Sequence, residues 1–480
     1  MAFIKESSAI SFKYDSETLR VESWGPNAFR VRATHQPVFP AENWALEEPV
    51  IAPNDVSIEA GETASIKNGN ITATISARGK LLIFNNKTGK PILEEFSRHR
   101  LDLMDPKSRF ESLDAEERIY GMGQYQQPFM NLKGAQLELA QRNSQASVPF
   151  AVSSLGYGFL WNNPSIGRAV FGTNVTTFEA SSTNIMDYWI VTGDSPSDIV
   201  RAYTDVTGKS QRCPNVIVVD FFHWPKEGEW KFDPTFWPDP ETMIKELKSL
   251  DIECMVSVWP TVDRQSENYS DMLSQGLLIH QDRGWRISME DEAEPEYTVY
   301  DFDIYRYYRG PNLMIGNWYP RDYSRGFYEG MKASGQDKVV NLVRCAWAGS
   351  QRYGALLWSG DIASSWGAAN EVWSYGEEVY QICKTYLALR EKMKDYIREL
   401  MKAAHIHGDP LMRPLFYDFP QDEKAWRIED EYMFGWKYLV APVLKAGQMQ
   451  STVYLPKGKQ WRLVSAQGEA TGTRCKEEVM

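Results

Sequence analysis

Four β-branched residues in a row, Val216 to Val219, restrict the folds that this chain can adopt. Such a continuous apolar run is typical of a strand that is buried on both faces of a sheet. A helix is predicted over 243–250, after the breaker at Pro240, and a second buried strand is predicted over 254–259. A strand, a helix and a strand in this order predict a parallel sheet with helices on its faces. Two further strands continue the pattern, Val339 to Val343 and Ala355 to Leu357.

The chain on either side of this region has a different pattern. Phe29, Val31 and Ala33 alternate with polar residues, and short alternating strands at such intervals favour a β-sandwich. A long helix is predicted over 379–400. Beyond it, strands are predicted over 438–441 and 451–455. We therefore predict a multidomain α/β plus all-β protein, with an N-terminal β-sandwich (1–205), a middle domain of alternating strands and helices around a parallel sheet (206–408) and a C-terminal β domain (409–480).

Charge and cysteine content exclude several classes of partner. The 480 residues carry a net charge of −12, which disfavours nucleic acids and anionic membranes as partners. No apolar run approaches the roughly 18 residues that a membrane-spanning helix needs. The five cysteines are scattered, and the first residues lack the pattern of a signal peptide, so we expect reduced thiols and a cytoplasmic location. The sequence is compatible with a monomer and with a homo-oligomer.

Residues with chemical function follow the predicted strands of the middle region. Asp220 ends the first strand, Trp259 the second and Arg344 the third, and the fourth is followed by Trp358 and Asp361. In a (β/α)8 barrel the active site is built from the carboxyl ends of several different strands. The alternative is that strands simply end where polar residues begin, but four such ends in one region favour a site.

Two groups of carboxylates are suited to acid–base or nucleophilic chemistry. One is the acidic stretch from Asp291 to Glu296, whose alternative interpretation is a solvated loop. The other is Asp361, which follows a glycine and is alternatively a turn residue. Tryptophan and tyrosine are dense around both, and aromatic faces with carboxylates and an arginine suit a sugar ring. The close pair His405 and His407 is interpreted as a surface tail rather than a metal site, and no cofactor is implied.

The sequence as a whole resembles glycoside hydrolase family 31, and within it the α-xylosidase branch. The resemblance lies in long stretches that span most of the chain: ERIYGMGQYQQPF near Glu117, VVDFFHWPKEGEWKFDPTFWPDP from Val218, MVSVWPTVD from Met255, DEAEPEYTVYDFD from Asp291, RCAWAGSQRYGALLWSGD from Arg344 and MRPLFYDFP from Met412. It implies an N-terminal β-sandwich, a (β/α)8 catalytic barrel and C-terminal β domains. It also implies cleavage of α-glycosides with retention of configuration.

The resemblance assigns a role to each candidate residue. Asp291 matches the family's nucleophile and Asp361 its general acid/base, the two carboxyl groups of a retaining glycosidase. The implied sugar-binding residues are Asp220 and Arg344 for hydroxyl groups, Trp259 and Trp358 around the non-reducing sugar, and Phe222 with Trp224 as the wall beside it. The partner is an oligosaccharide, and neither a metal nor a cofactor is implied.

The predicted barrel is shorter than the family pattern. Gln211 to His405 spans 195 residues, against about 250 for a typical (β/α)8 barrel. Comparison with the pattern implies that strands are missing near 208–216, ahead of Asp291 and after Trp366. The stretch FFHWPKEGEWKFD from Phe221 favours xylose, because a bulky wall there excludes the hydroxymethyl group of glucose. An α-glucosidase and a non-catalytic carbohydrate-binding relic are the alternatives.

Overall fold

The computed structural model of the chain describes residues 2–49, 56–96, 107–112, 114–142, 145–211, 215–220, 222–281, 305–358, 372–445, 447–448, 450–465 and 468–474. Asp291 and Asp361 lie outside the described residues, so their positions are not part of the fold described below. The chain divides into two compact units. The first comprises Met1–Gly193 and Ala202–Gly360, and the second comprises Asp194–Arg201 and Asp361–Met480.

Three antiparallel sheets form the amino-terminal part of the first unit. The strands in chain order are β1 (Ala2–Lys5), β2 (Ala9–Tyr14), β3 (Glu17–Ser23), β4 (Ala28–Thr34), β5 (Val56–Ala60), β6 (Ala64–Asn68), β7 (Ile71–Ile75), β8 (Leu81–Asn85), β9 (Lys90–Glu94), β10 (Lys107–Glu111), β11 (Ile119–Gln124), β12 (Gln136–Leu139), β13 (Ala146–Ser153), β14 (Tyr157–Trp161), β15 (Gly167–Phe171), β16 (Val175–Ala180) and β17 (Ile185–Thr192). The sheet orders are β1-β2-β3-β4-β17-β14-β13-β11, β10-β16-β15-β12 and β5-β6-β7-β8-β9.

The predicted alternation is confirmed in β4. Phe29, Val31 and Ala33 are fully buried, and they join one hydrophobic core to which all three sheets contribute. The polar residue between the first two is also buried, however. Arg30 is fully buried because it pairs with Asp187 on the neighbouring strand β17. A period of two marks the apolar face of this strand, but it does not reveal a buried ion pair on the other face.

The pair of Arg30 and Asp187 is held by several hydrogen bonds. The Arg30 Nη2 and Nε atoms donate to the two Asp187 carboxylate oxygens at 2.6 and 3.1 Å. The Asn162 amide donates to Asp187 at 3.0 Å, and Arg30 Nη1 donates to Asn43 at 2.7 Å. The network therefore ties β4, β17 and the segment around Asn43 together at a point that water does not reach.

The rest of the first unit alternates short strands and helices. Helix α1 (Pro196–Thr207) begins in the second unit and ends in the first. The elements that follow it in chain order are β18 (Val216–Val219), α2 (Pro240–Ser249), β19 (Glu253–Val256), α3 (Tyr269–Ser274), β20 (His280–Gln281), β21 (Tyr305–Tyr307), β22 (Gly310–Pro311), α4 (Asn312–Ile315), α5 (Tyr319–Ala333), β23 (Asn341–Val343) and β24 (Ala355–Leu357). The parallel pairing that the sequence predicts is present twice, between β18 and β19 and between β23 and β24. Asp239 caps α2 by accepting a hydrogen bond from the Thr242 N–H at 3.0 Å.

The prediction that these strands are buried on both faces was wrong. Val216, Ile217 and Val218 of β18 are 37%, 49% and 43% exposed, and Val256 of β19 is 37% exposed. Burial of a parallel strand needs neighbouring strands and a helix on each face. Among the described residues β18 pairs with β19 alone, and α2 buries none of its side chains. The apolar run correctly indicated a parallel strand, but its burial depends on neighbouring elements that a run of four residues does not reveal.

From residue 372 onward the second unit begins with two long helices, and short strands and one short helix follow them. Its elements from residue 372 onward are α6 (Glu377–Lys392), α7 (Lys394–His407), β25 (Met412–Pro414), α8 (Leu415–Asp418), β26 (Tyr432–Phe434), β27 (Tyr438–Val440), β28 (Arg462–Ser465) and β29 (Gly468–Arg474). The sequence predicted one helix here, but the structure has two, which meet at Met393. The spacing of apolar residues continues through Met393, so it gave no sign of the break. The second helix ends at Gly408, which has the left-handed conformation that glycine favours. In the described ranges no helix is long and apolar enough to cross a bilayer.

The strand predicted over 451–455 was wrong. These residues belong to no strand, and the Tyr454 N–H donates instead to the Glu431 side chain at 2.6 Å. The Tyr454 hydroxyl donates to Asp422 at 2.6 Å. A side chain thus accepts the N–H group that a β-ladder would have used, and a β-branched stretch does not indicate this competition.

An ion pair in the second unit gives it a defined acid sensitivity. Burial raises the pKa of Asp409, but the charge of Arg201 and its two hydrogen bonds, at 2.7 and 2.8 Å, together with a hydrogen bond from Tyr417 and the charge of Arg413, lower the pKa below its ordinary value. Stability from this pair is therefore present above the unfolded pKa of about 3.9 and is lost as the pH falls through the folded pKa. We expect Asp409→Asn to remove about 1 kcal/mol at pH 7 and little at pH 2, since Arg201 is half-exposed.

Urea unfolding of both chains at pH 7 and pH 2 measures this difference. Asp205→Asn, which removes an exposed pair with Lys209, is the matched control and should change little at either pH. An Asp409→Asn chain that is destabilised equally at both pH values would contradict the assignment.

Candidate functional site

The carboxyl ends of β18 and β19 bring two predicted site residues to one edge. The strands are parallel, with Val216 opposite Glu253, so both end at the same side. Asp220 follows β18 directly and is exposed, and the Ser257 N–H donates to the Val219 carbonyl at 3.0 Å. This hydrogen bond carries the pairing past the end of β19, so that the chain leading to Trp259 starts beside Asp220.

A wall of aromatic rings lies next to this edge. The ring centroids of Phe222 and Trp224 are 6.5 Å apart, and those of Trp224 and Trp259 are also 6.5 Å apart. Trp224 is buried, whereas Phe222 is 63% exposed. An exposed phenylalanine backed by packed tryptophans is a rigid apolar surface, as a sugar ring requires for stacking.

The backbone of this wall is strained at two positions. Phe222 has φ = 56° and Trp230 has φ = 38°, values that bulky residues rarely adopt. Such conformations cluster at functional sites, where the surrounding structure holds them in place. The exposed position of the Phe222 ring is thus fixed by its backbone rather than by burial of its side chain.

Contacts between two loops hold the wall. The loop after β18 donates from the Trp230 indole N–H to the Trp259 carbonyl at 3.1 Å, and accepts from the Asn268 amide at the Gly228 carbonyl at 2.7 Å. Gly228 has φ = 86°, and a Cβ atom there would lie 2.8 Å from a methyl group of Val262. Glycine is required at this close approach, which brings the two loops together.

Arg344 and Trp358 form a second group, at the ends of β23 and β24. The Trp358 N–H donates to the Val343 carbonyl at 2.8 Å, so the two strands end together. The Arg344 guanidinium carbon lies 5.6 Å from the centre of the Trp358 ring, and Arg344 is buried. The attraction between the guanidinium and the aromatic face helps to orient the Arg344 side chain.

Helix α5 contacts both groups of strands. Its Tyr323 hydroxyl donates to the Val258 carbonyl at 3.3 Å, one residue before Trp259. Its Ser324 carbonyl accepts from the Asn341 amide of β23 at 3.0 Å. Helix α5 therefore connects the aromatic wall with β23, the strand that Arg344 follows.

Asp220, Arg344 and Trp358 directly follow β18, β23 and β24, whereas β19 ends at Val256, three residues before Trp259. Asp220, Phe222, Trp224 and Trp259 form the group around β18 and β19, and Arg344 and Trp358 form the group around β23 and β24. The predicted catalytic residues, Asp291 and Asp361, lie outside the described residues.

Sequence analysis missed His223, between the two wall residues. Its ring contacts Trp224, with centroids 4.7 Å apart, and Phe232 at 5.3 Å, and it is 3% exposed. Burial lowers the pKa of His223, an effect that the nearby charge of Asp220 partly offsets, so the imidazole is neutral at pH 7. The only signal in the sequence is its place between Phe222 and Trp224.

Family models match three stretches of the chain. The descriptions are "Glycosyl hydrolase 31 N-terminal galactose mutarotase-like domain" for residues 18–168, "Glycosyl hydrolases family 31 TIM-barrel domain" for 186–306 and 283–370, and "Glycosyl hydrolase family 31 C-terminal domain" for 408–479. The barrel model is thus matched in two overlapping parts. A protein of Pseudescherichia vulneris named "Uncharacterized family 31 glucosidase ORF2" is 40% identical over 75% of this chain and 87% of its own length. The chain belongs to glycoside hydrolase family 31.

Members of this family are glycosidases, and the chain groups with the α-xylosidase branch. An α-xylosidase of Saccharolobus solfataricus is 25% identical over 86% of this chain and 76% of its own length. The crystal structure of a family 31 α-xylosidase from a soil metagenome, complexed with xylose, superposes with a TM-score of 0.90. It is 38% identical and covers 99% of this chain and 96% of its own. A neutral α-glucosidase of Mus musculus is also similar, at 21% identity over 66% of this chain and 50% of its own length. The fold therefore comprises the three family 31 domains.

Within the matched span the relatives carry additional sequence. The alignment with the Pseudescherichia vulneris protein runs over 462 positions but takes in 75% of 480 residues, or about 360 residues. About 100 positions (462 less 360) of that relative therefore have no counterpart in this chain.

Proposed function

We propose that this family 31 glycosidase is a retaining α-xylosidase, which releases terminal α-D-xylose from the non-reducing end of oligosaccharides. The observation that carries the proposal is the exposed Phe222 ring, held beside Asp220 by a strained backbone and by two packed tryptophans. The likeness to α-xylosidases, one of them solved with xylose, supports the choice of sugar.

In the proposed reaction Asp291 is the nucleophile and Asp361 the general acid/base. The Asp291 carboxylate attacks the anomeric carbon while Asp361 gives its proton to the leaving oxygen, so the glycosidic bond breaks and a xylosyl ester forms. Asp361, now ionised, takes a proton from water as that water attacks the anomeric carbon and releases Asp291. Two displacements at one carbon retain its configuration, and they require carboxyl groups about 5–5.5 Å apart.

The described residues would bind the sugar during both steps. Asp220 and Arg344 are suited to hydroxyl groups, because a carboxylate accepts and a guanidinium donates charge-assisted hydrogen bonds. Trp259 and Trp358 would shape the subsite of the non-reducing sugar, and Phe222 with Trp224 would form the wall that a hydroxymethyl group meets.

If the aromatic wall excludes glucose, the Phe222→Ala variant should discriminate less between xylosides and glucosides. Removing the exposed ring opens space for the extra carbon of glucose, and discrimination of this steric kind is worth about 10–200-fold. We expect the ratio of kcat/KM for p-nitrophenyl α-xyloside over α-glucoside to fall about tenfold. The comparison is made on purified chains under identical conditions.

Phe236→Ala is the matched control for this experiment. Phe236 is 74% exposed in the same loop and has no proposed contact with substrate, so its removal should leave the ratio unchanged. A Phe222→Ala chain with the parental ratio would place specificity elsewhere and favour the α-glucosidase alternative.

A second candidate function is sugar binding without hydrolysis. It is favoured by the exposed β18 side chains, together with the additional positions that relatives carry. Open strand edges leave catalytic groups less firmly positioned, and a misplacement of about 1 Å lowers a rate by about 10²-fold. Quenching of tryptophan fluorescence by xylose, without release of p-nitrophenol from the xyloside, would establish this function in place of catalysis.

Domain bounds and location complete the proposal. We assign 1–205, 206–408 and 409–480 to the N-terminal, barrel and C-terminal domains, an assignment supported by the family-model matches at 18–168, 186–370 and 408–479. A cytoplasmic location is supported by Cys254, Cys345 and Cys383, which are free thiols.

A further inference from the structure

His223 carries a polar group that the described fold leaves unused. Its Nδ1 atom is buried and has no hydrogen-bond partner. The hydrogen bond at this residue is made by the backbone, where the Asp233 N–H donates to the His223 carbonyl at 2.7 Å. The ring itself packs edge-on against Trp224 and tilted against Phe232.

A purely structural role would be better filled by an apolar ring. A buried donor or acceptor without a partner destabilises a fold, whereas a phenyl ring in the same space carries no such penalty. The neighbours of the imidazole are aromatic, so they do not compensate it. The presence of an imidazole here is explained if its ring forms a hydrogen bond once a ligand occupies the site.

Asp220 is the carboxylate nearest to His223 along the chain. It precedes His223 by three residues, at the end of β18, and its charge acts on the imidazole. The Asp220 side chain is exposed, and no residue in the described part of the chain makes a hydrogen bond or ion pair with it. A carboxylate that binds sugar hydroxyls through one oxygen keeps its second oxygen for a donor.

We propose that His223 is a positioning residue, whose imidazole N–H donates to the Asp220 carboxylate when a sugar binds and thereby fixes Asp220 toward the sugar hydroxyl groups. This inference rests on the proposed function, because it needs a sugar at Asp220. His223 would thus be a further residue of the site, one that acts through Asp220. Its imidazole would lower the local stability of the fold, because its Nδ1 atom has no partner in the absence of sugar.

A double-mutant cycle tests the proposal directly. Xylose binding is measured by tryptophan fluorescence for the full chain and for His223→Phe, Asp220→Asn and the double variant. We expect His223→Phe to weaken binding about tenfold and to raise, or leave unchanged, the midpoint of urea unfolding. In the Asp220→Asn background the same substitution should change binding less than twofold, because the group on which it acts is already altered.

Two further variants guard the interpretation. His223→Asn, which places an amide N–H near the position of Nδ1, should recover most of the affinity, and it serves if His223→Phe does not fold. His280→Phe, at an exposed histidine of β20, should change neither binding nor stability.

Each outcome has a definite meaning. Equal losses of affinity in the two backgrounds, or no loss on removing the imidazole, would overturn the positioning role while leaving the sugar site intact. A parental chain that binds no xylose would overturn the proposed function, and the positioning role would fall with it.

Discussion

The Asp291→Ala variant is expected to hydrolyse p-nitrophenyl α-xyloside about 10³-fold more slowly than the parental chain, or slower still. Without the carboxylate no xylosyl ester forms, so the two-step route is closed and only direct attack by water is left. Because the change removes a reacting group rather than a binding group, the loss should lie in kcat with little change in KM. Release of p-nitrophenol measures both.

Glu292→Ala is the matched control, since it removes a neighbouring carboxylate to which the reaction gives no role. It should keep activity within a few-fold of the parental chain. If Glu292→Ala were as inactive as Asp291→Ala, the acidic stretch would act through its charge or its fold. If Asp291→Ala kept its activity, Asp291 would not be the nucleophile.

The largest loss of stability is expected from Asp187→Ala. The substitution leaves the Arg30 guanidinium buried without a counter-charge, and breaking a buried ion pair in this way destabilises a fold by about 3–5 kcal/mol. Trp189, on the same strand, is buried and reports the unfolding of these sheets by fluorescence. The free energy of unfolding in urea gives the loss directly.

Two comparisons show whether burial is the cause. Glu179→Ala removes the partner of the half-exposed Arg168 and should destabilise the fold by at most about 1 kcal/mol. The double variant Arg30→Met with Asp187→Leu should be more stable than Asp187→Ala alone, because no charge is left buried. A loss from Asp187→Ala no greater than that from Glu179→Ala would contradict this account.

Local patterns predicted the elements of the fold better than their surroundings. The alternation in β4, the helix after the breaker at Pro240 and the parallel pair formed by β18 all follow from side-chain period, proline and β-branching, which act over a few residues. The exposure of Ile217 and the burial of Arg30 depend instead on which elements cover a strand. That coverage comes from residues distant in sequence, such as Asp187, so no short window contains it.

The candidate site was predictable to the extent that its chemistry lies at strand ends. Asp220, Arg344 and Trp358 were expected at the carboxyl ends of parallel strands, and they directly follow β18, β23 and β24. His223 was missed because a single histidine among aromatic residues looks the same in sequence whether its ring nitrogens are used or not. Its unpartnered Nδ1 becomes visible only when the packing of Trp224 and Phe232 is known.

The measurement that bears most directly on the function is release of p-nitrophenol from the α-xyloside and the α-glucoside by the purified 480-residue chain. The proposed function predicts hydrolysis of the xyloside, at a higher kcat/KM than that of the glucoside. A soluble sample that unfolds cooperatively and yet hydrolyses neither glycoside would contradict it.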